Sequence, residues 1–423
     1  MTADRVHIFA RSDRTFDLAP LFTELGRRGV PSRSVALAIS FPTQAVEAGL
    51  LAVRDRLDER AASGELRAVL VDPDPSDDLD IGVFPRGAPE LADFFAANPE
   101  VATVVHGLLP SPEFRDGDGL FAPDRLSGAT VAPPVWLDFY LTVPATPGPH
   151  RAVILQHGFG GDNRFVLSVA NELAHEGLAG IGISAVSHGR RGSPLDLLAS
   201  TPLQLRDILR QTIADQLALT RSIAAGIDAD GDGVSDLQGS ELDYLGVSLG
   251  GILGATFIAV EPGVQSAVLN VAGGRVAFLG DNPGTRAIYT QYLAMQAGLD
   301  AQSPEFEIFL QRMLALGQQA LDPADPLDFA RRWRIAPYPG FAPRRVLMQE
   351  GIGDTLVSNA STEALAIAGG LEANRAMEDA DGVAGLWRFD PPGGHGIFGR
   401  SDVRGQALEF LRSRGTRIIV PMM

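Results

Sequence analysis

The chain of 423 residues contains no cysteine, which excludes disulfides, thiolate metal sites and cysteine nucleophiles together. Lysine is also absent, because all 35 basic residues are arginine. Chemistry through a lysine amine is therefore closed to it. Long apolar runs are missing too: none approaches the roughly 20 residues that cross a bilayer. Met1 to His7 lack the basic-then-apolar order of a secretion signal. The sequence thus points either to the cytoplasm or to an export signal upstream. Positive charge is in deficit, with 52 acidic residues and a net charge of −17, which argues against nucleic acid and anionic membranes as partners. Histidine is scarce, the seven being His7, His106, His150, His157, His175, His188 and His395.

What is present is ordinary for a globular protein: 45% hydrophobic and 21% charged residues. The length predicts two domains. An accessory α/β domain is expected over 1–125. Its signals are the helical spacing of Ala45, Leu50, Leu51, Val53 and Leu57, strands at Leu66–Val71 and Val101–Leu108, and a solvated acidic loop at Asp72–Asp80. The turn-rich stretch Arg115–Gly128 marks the boundary. Over 126–423, Val135–Val143 alternates like an edge strand exposed on one face. Strand and helix signals then follow each other: helices near Phe165–His175 and Leu203–Ala225, strands at Gly180–Val186, Leu242–Leu245, Ala267–Val271 and Arg345–Gln349. Such alternation implies an α/β fold with a mostly parallel central sheet. Between about 275 and 335 two helical stretches interrupt it, predicting a helical cap insertion.

Gly246-Val247-Ser248-Leu249-Gly250 sets a serine between glycines where a strand passes into a helix, the pattern of a nucleophile elbow. In a chain with 47 glycines that motif is weak alone, so its partners decide. Only His395 follows Ser248 among the histidines, in the small-residue loop Pro391–Gly396, and it is the candidate general base. The acid must lie between them; Asp354, just past the strand Arg345–Gln349, is best placed, with Glu350 as the alternative. His157-Gly158-Phe159-Gly160-Gly161 follows another strand. The amides of Phe159 and Leu249 are the expected oxyanion donors, with Gly158 and Gly160 lining the site. His157 reads as a structural hydrogen-bonding residue. In the cap, Tyr289 and Phe306 are expected to contact the acyl or alcohol group.

In these motifs and their order the stretch from about Pro134 to Met423 resembles serine α/β hydrolases. Two phrases, Ala36–Gln44 and Leu321–Pro326, are similar to bacterial extracellular lipases and esterases of the virulence-factor lipase type. The resemblance implies a carboxylic ester hydrolase working through Ser248, His395 and Asp354 with no catalytic cofactor, and a secreted or cell-surface location. A carboxylesterase on short to medium acyl chains is the expectation, against a lipase or polyester hydrolase on long or polymeric esters and then a serine peptidase. The rival of another class is a non-catalytic surface-binding module on the same scaffold. The expected partner is a small or polymeric ester, and the oligomeric state stays open.

A separate motif lies upstream of the elbow. Asp228, Asp230, Asp232 and Asp236 occupy positions 1, 3, 5 and 9 of a loop with Gly233 at 6 and Val234 at 7, a spacing that wraps oxygens around Ca²⁺. Position 12 is Gly239 rather than a bidentate glutamate, so binding on the order of 10⁻⁴ M or weaker is expected. The ion would be structural.

Overall fold

The computed structural model describes residues 23–24, 26–31, 44–71, 79–372, 377–379, 382–390 and 394–419. It divides into two compact units, Met1–Ala45 and Val46–Met423. In the first, the described residues include a helical turn near Glu24 whose carboxylate pairs with Arg27 and Arg28. Of the two phrases that suggested the lipase type, residues 36–43 lie outside the described residues.

Among its described residues the second unit is built on a ten-stranded sheet. In chain order its strands are β1 (Gly82–Pro85), β2 (Val101–Pro112), β3 (Pro134–Pro144), β4 (His150–Gln156), β5 (Leu178–Ile183), β6 (Leu237–Val247), β7 (Val264–Asn270), β8 (Arg345–Gly351), β9 (Met377–Asp379) and β10 (Gly382–Phe389). Their spatial order is β1-β2-β3-β5-β4-β6-β7-β8-β10-β9. The run β5-β4-β6-β7-β8-β10 is parallel, while β1, β2, β3 and β9 pair antiparallel.

The principal helices are α1 (Ala48–Ala62), α2 (Ala170–His175), α3 (Pro202–Ala224), α4 (Leu249–Val260), α5 (Pro283–Ala297), α6 (Pro304–Leu321), α7 (Asn359–Ala368) and α8 (Ser401–Arg412). They cover both faces of the sheet, and the period of two decides which residue meets which layer. Along β4, Ala152 and Ile154 join the core beneath α1, α3 and α4, whereas Val153 and Leu155 join the core beneath α2 and α8. Both faces are apolar, as a parallel sheet buried on two sides requires.

The domain boundary expected near 125 is not where these layers divide. β1 and β2 extend the same sheet, and Leu50, Val53 and Leu57 of α1 pack in the same core as Ile213 and Leu217 of α3. Polar groups of α3 fasten the join: Asp207 accepts from the Phe121 amide, and Gln211 donates to the Pro112 carbonyl. β3 is accordingly an interior strand, paired on both sides, rather than the expected edge. The strand expected at Leu66–Val71 is reduced to one bridge, Val69 to Leu108.

Helix α3 starts where its sequence says it should. Thr201 caps it, Gln204 completes a reciprocal capping box, and Pro202 occupies the first turn. On the far face, Arg151 of β4 ion-pairs with buried Asp243 of β6 and donates to the carbonyl of Leu411 at the end of α8. Burial raises the Asp243 carboxyl to about 6 against the pull of Arg151.

The expected cap insertion lies between β7 and β8 and contains α5 and α6. Its base is held by buried Asp325, which accepts from the amides of Arg275, Val276 and Leu327 and from Gln318. Phe306, expected to face substrate, is fully buried in the cap's own core with Ala294, Leu310 and Leu314. That corrects the expectation: an apolar stripe at helical spacing here fastens one cap helix to its neighbour. The side chain of Tyr289 lies outside the described residues.

Candidate active site

Ser248 sits between β6 and α4 with φ 57° and ψ −117°, a region in which a side-chain-bearing residue is strained by about 1–3 kcal/mol. Its surroundings hold it there. The Ser248 amide donates to Asn270 O at 2.9 Å, and its carbonyl accepts from the Ile252 amide at 2.9 Å. A Cβ at position 246 would overlap the Gly250 carbonyl, and one at 250 would overlap the carbonyls of Gln156 and His157. Only glycine fits at these two close approaches. Tyr244 braces the turn from below: its hydroxyl donates to Gly250 O at 2.6 Å and accepts from Gln216.

The carboxyl edge of the sheet brings the partners to this serine. His395 lies in the short 3₁₀ helix Gly394–Gly399, with Nε2 2.8 Å from Ser248 Oγ and Nδ1 2.7 Å from Asp354 Oδ2. A carboxylate only accepts, so Nδ1 carries the proton and Nε2 is left to accept from the serine hydroxyl. Asp354 is buried in the turn after β8, and its other oxygen accepts from the amides of Leu356 and Val357 at 2.8 and 3.0 Å. Glu350, the alternative acid, is turned to other work: it accepts from Asn359 Nδ2 at 2.9 Å and from Arg388 Nε at 2.9 Å. A hydroxyl, an imidazole and a fixed carboxylate in one hydrogen-bonded line can move the serine proton as Oγ attacks an electrophile.

Gly158 packs against the serine, since a Cβ there would lie 3.3 Å from Ser248 Cβ. Phe159 occupies the second position of a turn closed by Gly161 N to Gly158 O at 3.0 Å, with Gly160 at φ 82°. Its amide takes no part in that closing bond. Leu249 begins α4, where first-turn amides have no carbonyl within the helix. Beneath the loop, buried His157 donates from Nδ1 to Gly158 O at 2.8 Å and accepts the Ala185 amide on Nε2 at 3.0 Å. Burial pushes its imidazole down to about 4 against the Gly158 hydrogen bond, so it stays neutral and structural. His188, also buried, stacks at a tilt on His157 and meets the Phe159 ring edge-on at 5.7 Å.

Together, the parallel run of strands, the strained serine between strand and helix, and the topology that carries Asp354 and His395 to one edge leave one architecture. The fold is that of an α/β hydrolase. Similarity to one solved structure agrees with it. Acetyl xylan esterase from Paenibacillus sp. R4 is 12% identical with a TM-score of 0.51, and the match covers 87% of this chain and 96% of that one. Acetyl xylan esterase 1 from Thermoanaerobacterium sp. JW/SL YS485 is 14% identical with a TM-score of 0.49, over 89% of this chain and 99% of that one. No protein-family model and no curated protein sequence matches the chain.

In this fold the aspartate loop lies at the opposite end of β6 from the serine. Oxygens of Asp228, Asp230 and Asp236 come within 4.8 Å of one another. Asp232, expected as a fourth ligand, is not in that cluster; its Oδ1 accepts from the Val234 amide at 2.8 Å.

Sequence reasoning missed three groups that hold the site. Tyr244 looks like any apolar strand residue, and Asn359 like any residue opening a helix. Only the Asp-Pro step at 325–326, a helix-start pattern, offered a signal for the cap anchor.

Proposed function

We propose that the chain is a serine carboxylic ester hydrolase. The observation that carries this reading is the unbroken hydrogen-bonded line Asp354–His395–Ser248. Nε2 of His395 takes the Ser248 proton as Oγ bonds to the ester carbonyl carbon, and the amides of Phe159 and Leu249 stabilise the oxyanion. The tetrahedral adduct collapses, the carbon–oxygen bond to the alcohol breaks, and His395 returns the proton to the departing oxygen. Water, deprotonated by the same imidazole, then attacks the acyl-enzyme and frees the acid and Ser248. No cofactor enters this scheme.

The substrate we propose is an ester of a short to medium acyl chain. The name of the acetyl xylan esterase of matching fold is in keeping with a short acyl group. Lipase-like action on long or polymeric esters is the second reading, and it rests on the virulence-factor lipase resemblance, with which an extracellular location goes. No helix among the described residues is long and apolar enough to cross a membrane. We add Ca²⁺ as a structural ligand of Asp228, Asp230 and Asp236, supported by the convergence of their oxygens.

Initial rates on p-nitrophenyl esters from acetate to palmitate, for wild type and Ser248→Ala, test the reading. Activity that is highest on short chains and abolished by the substitution is expected. A palmitate optimum favours the lipase. No turnover and no labelling by an active-site serine probe would leave the surface-binding module.

A further inference from the structure

Asn359, the first residue of α7, is tied to the acid-bearing loop by three hydrogen bonds. Its Oδ1 accepts the Gly353 amide at 2.9 Å, and its Nδ2 donates to Gly351 O and to Glu350 Oε1, each at 2.9 Å. These bonds bracket the end of β8 immediately before Asp354. They also fix the seat of the histidine loop, because Gly351 lies against the Gly394 carbonyl so closely that a Cβ at 351 would overlap it. Gly353 itself has φ 81°, a left-handed conformation that glycine adopts without steric cost and that leaves its direction to be set by partners such as Asn359. One side chain therefore sets the exit direction of the loop carrying the acid and the backbone that faces the residue before His395.

The far end of the Asn359 amide is fixed in turn. Buried Glu350 holds it with Oε1 while its other oxygen is paired with Arg388, which also reaches Glu363. The amide is therefore clamped on both sides, Nδ2 by acceptors and Oδ1 by a donor, and this leaves only one flip state that satisfies every partner.

We infer that Asn359 is a positioning residue of the catalytic machinery: it holds Asp354 in line with His395 Nδ1 without touching either side chain. This rests on the ester-hydrolase reading of the same site. Displacing a catalytic group by about 1 Å costs up to about 10²-fold in rate, and removing the Asn359 side chain breaks all three of these bonds.

The test compares wild type, Asp354→Asn, Asn359→Ala and Asn359→Asp on p-nitrophenyl acetate as a function of pH, with thermal unfolding of each. For Asn359→Ala we expect kcat to fall about tenfold to hundredfold with KM nearly unchanged. The acidic limb of the kcat/KM profile should move to lower pH, because an imidazole that loses its carboxylate is a weaker base. Asn359→Asp keeps the acceptor for Gly353 but sets a carboxylate against Glu350; it should recover part of the rate below the pH at which that new acid ionises, and lose it above. A folded Asn359→Ala enzyme with wild-type kcat and an unmoved acidic limb overturns the inference, provided Asp354→Asn is crippled. If Asp354→Asn retains full activity, the acid assignment itself is wrong. If Asn359→Ala does not fold, the pH dependence of Asn359→Asp decides: a rate parallel to wild type at every pH overturns the positioning role.

Discussion

At the amino end of β6, Asp228, Asp230, Asp232 and Asp236 accept from backbone amides two to seven positions away. At the carboxyl end, Ser248 reaches His395 across 147 positions, and His395 reaches Asp354 across 41. The first arrangement is made by local turns, so its geometry needs little from the rest of the molecule. The second exists only when strands β6, β8 and β10 are in register, and its strain at Ser248 persists because packed backbone on several sides leaves no alternative. Reactive chemistry belongs at the non-local end for that reason: only tertiary structure can hold a serine at φ 57° with an imidazole 2.8 Å away.

The sharpest break in this comparison is chemical. Ser248→Ala should lower kcat on p-nitrophenyl acetate by about 10⁴–10⁶-fold, since such residues act as a unit. Asp228→Asn, at the other end of the same strand, should leave it within about twofold, a surface change removed from the reacting atoms. Initial rates on the pair measure the contrast directly.

Next in size is Gly250→Ala. Its Cβ would be driven into the carbonyls of Gln156 and His157, backbone that cannot move aside, and overpacking of this kind costs about 1–3 kcal/mol or more. A fall of several degrees in Tm by calorimetry is expected. Gly231→Ala in the aspartate loop meets no neighbouring atom, and its cost is confined to backbone strain at φ 78°.

A smaller effect depends on pH. The buried His157 imidazole titrates in the fold near 4, well below its ordinary 6.5, chiefly because burial disfavours its charged form. Between those values the unfolded chain binds the extra proton, so stability is lost as pH falls from about 6.5 to about 4. Asp328, at the cap base, has the opposite sign. Burial first, then Asp322, Asp325 and Glu47, raise it to about 7, so the folded state holds the proton and stability declines as pH rises through that range. Tm measured against pH should flatten at its acidic end in His157→Gln and at its neutral end in Asp328→Asn.

The smallest expected change is ionic. Millimolar Ca²⁺ should raise Tm by a few degrees relative to EDTA without altering kcat, because a site of about 10⁻⁴ M stabilises only by mass action. Asp236→Asn should remove the increment.

What was legible in the sequence follows the same local and non-local division. The β/α alternation, the elbow glycines and the capped start of α3 are written in neighbouring residues, and they predicted the fold. The order of serine, acid and histidine picked out His395 because only one histidine follows the serine, while Asp354 was favoured over Glu350 by its place just past a strand's end. What escaped was settled by distant partners. Nothing in Val101–Pro112 marks it for the hydrolase sheet rather than a separate domain; its pairing with β3 and the grip of α3 decide that. Phe306 has the same spacing whether its helix faces a substrate or another cap helix. Asn359 carries no signal until the loop before Asp354 folds onto it.

The guanidinium of Arg151, which spans 260 positions to the Leu411 carbonyl at 2.5 Å, has a consequence for how the protein is made. β4 leaves the ribosome long before α8 does, and until α8 arrives the apolar face of Val153, Leu245, Val268 and Leu347 is covered only in part, by Val166, Val169 and Leu173. The nascent chain is therefore adhesive on this face until α8 is made. A chaperone that shields this face during translation should raise the yield of active protein more than one supplied afterwards.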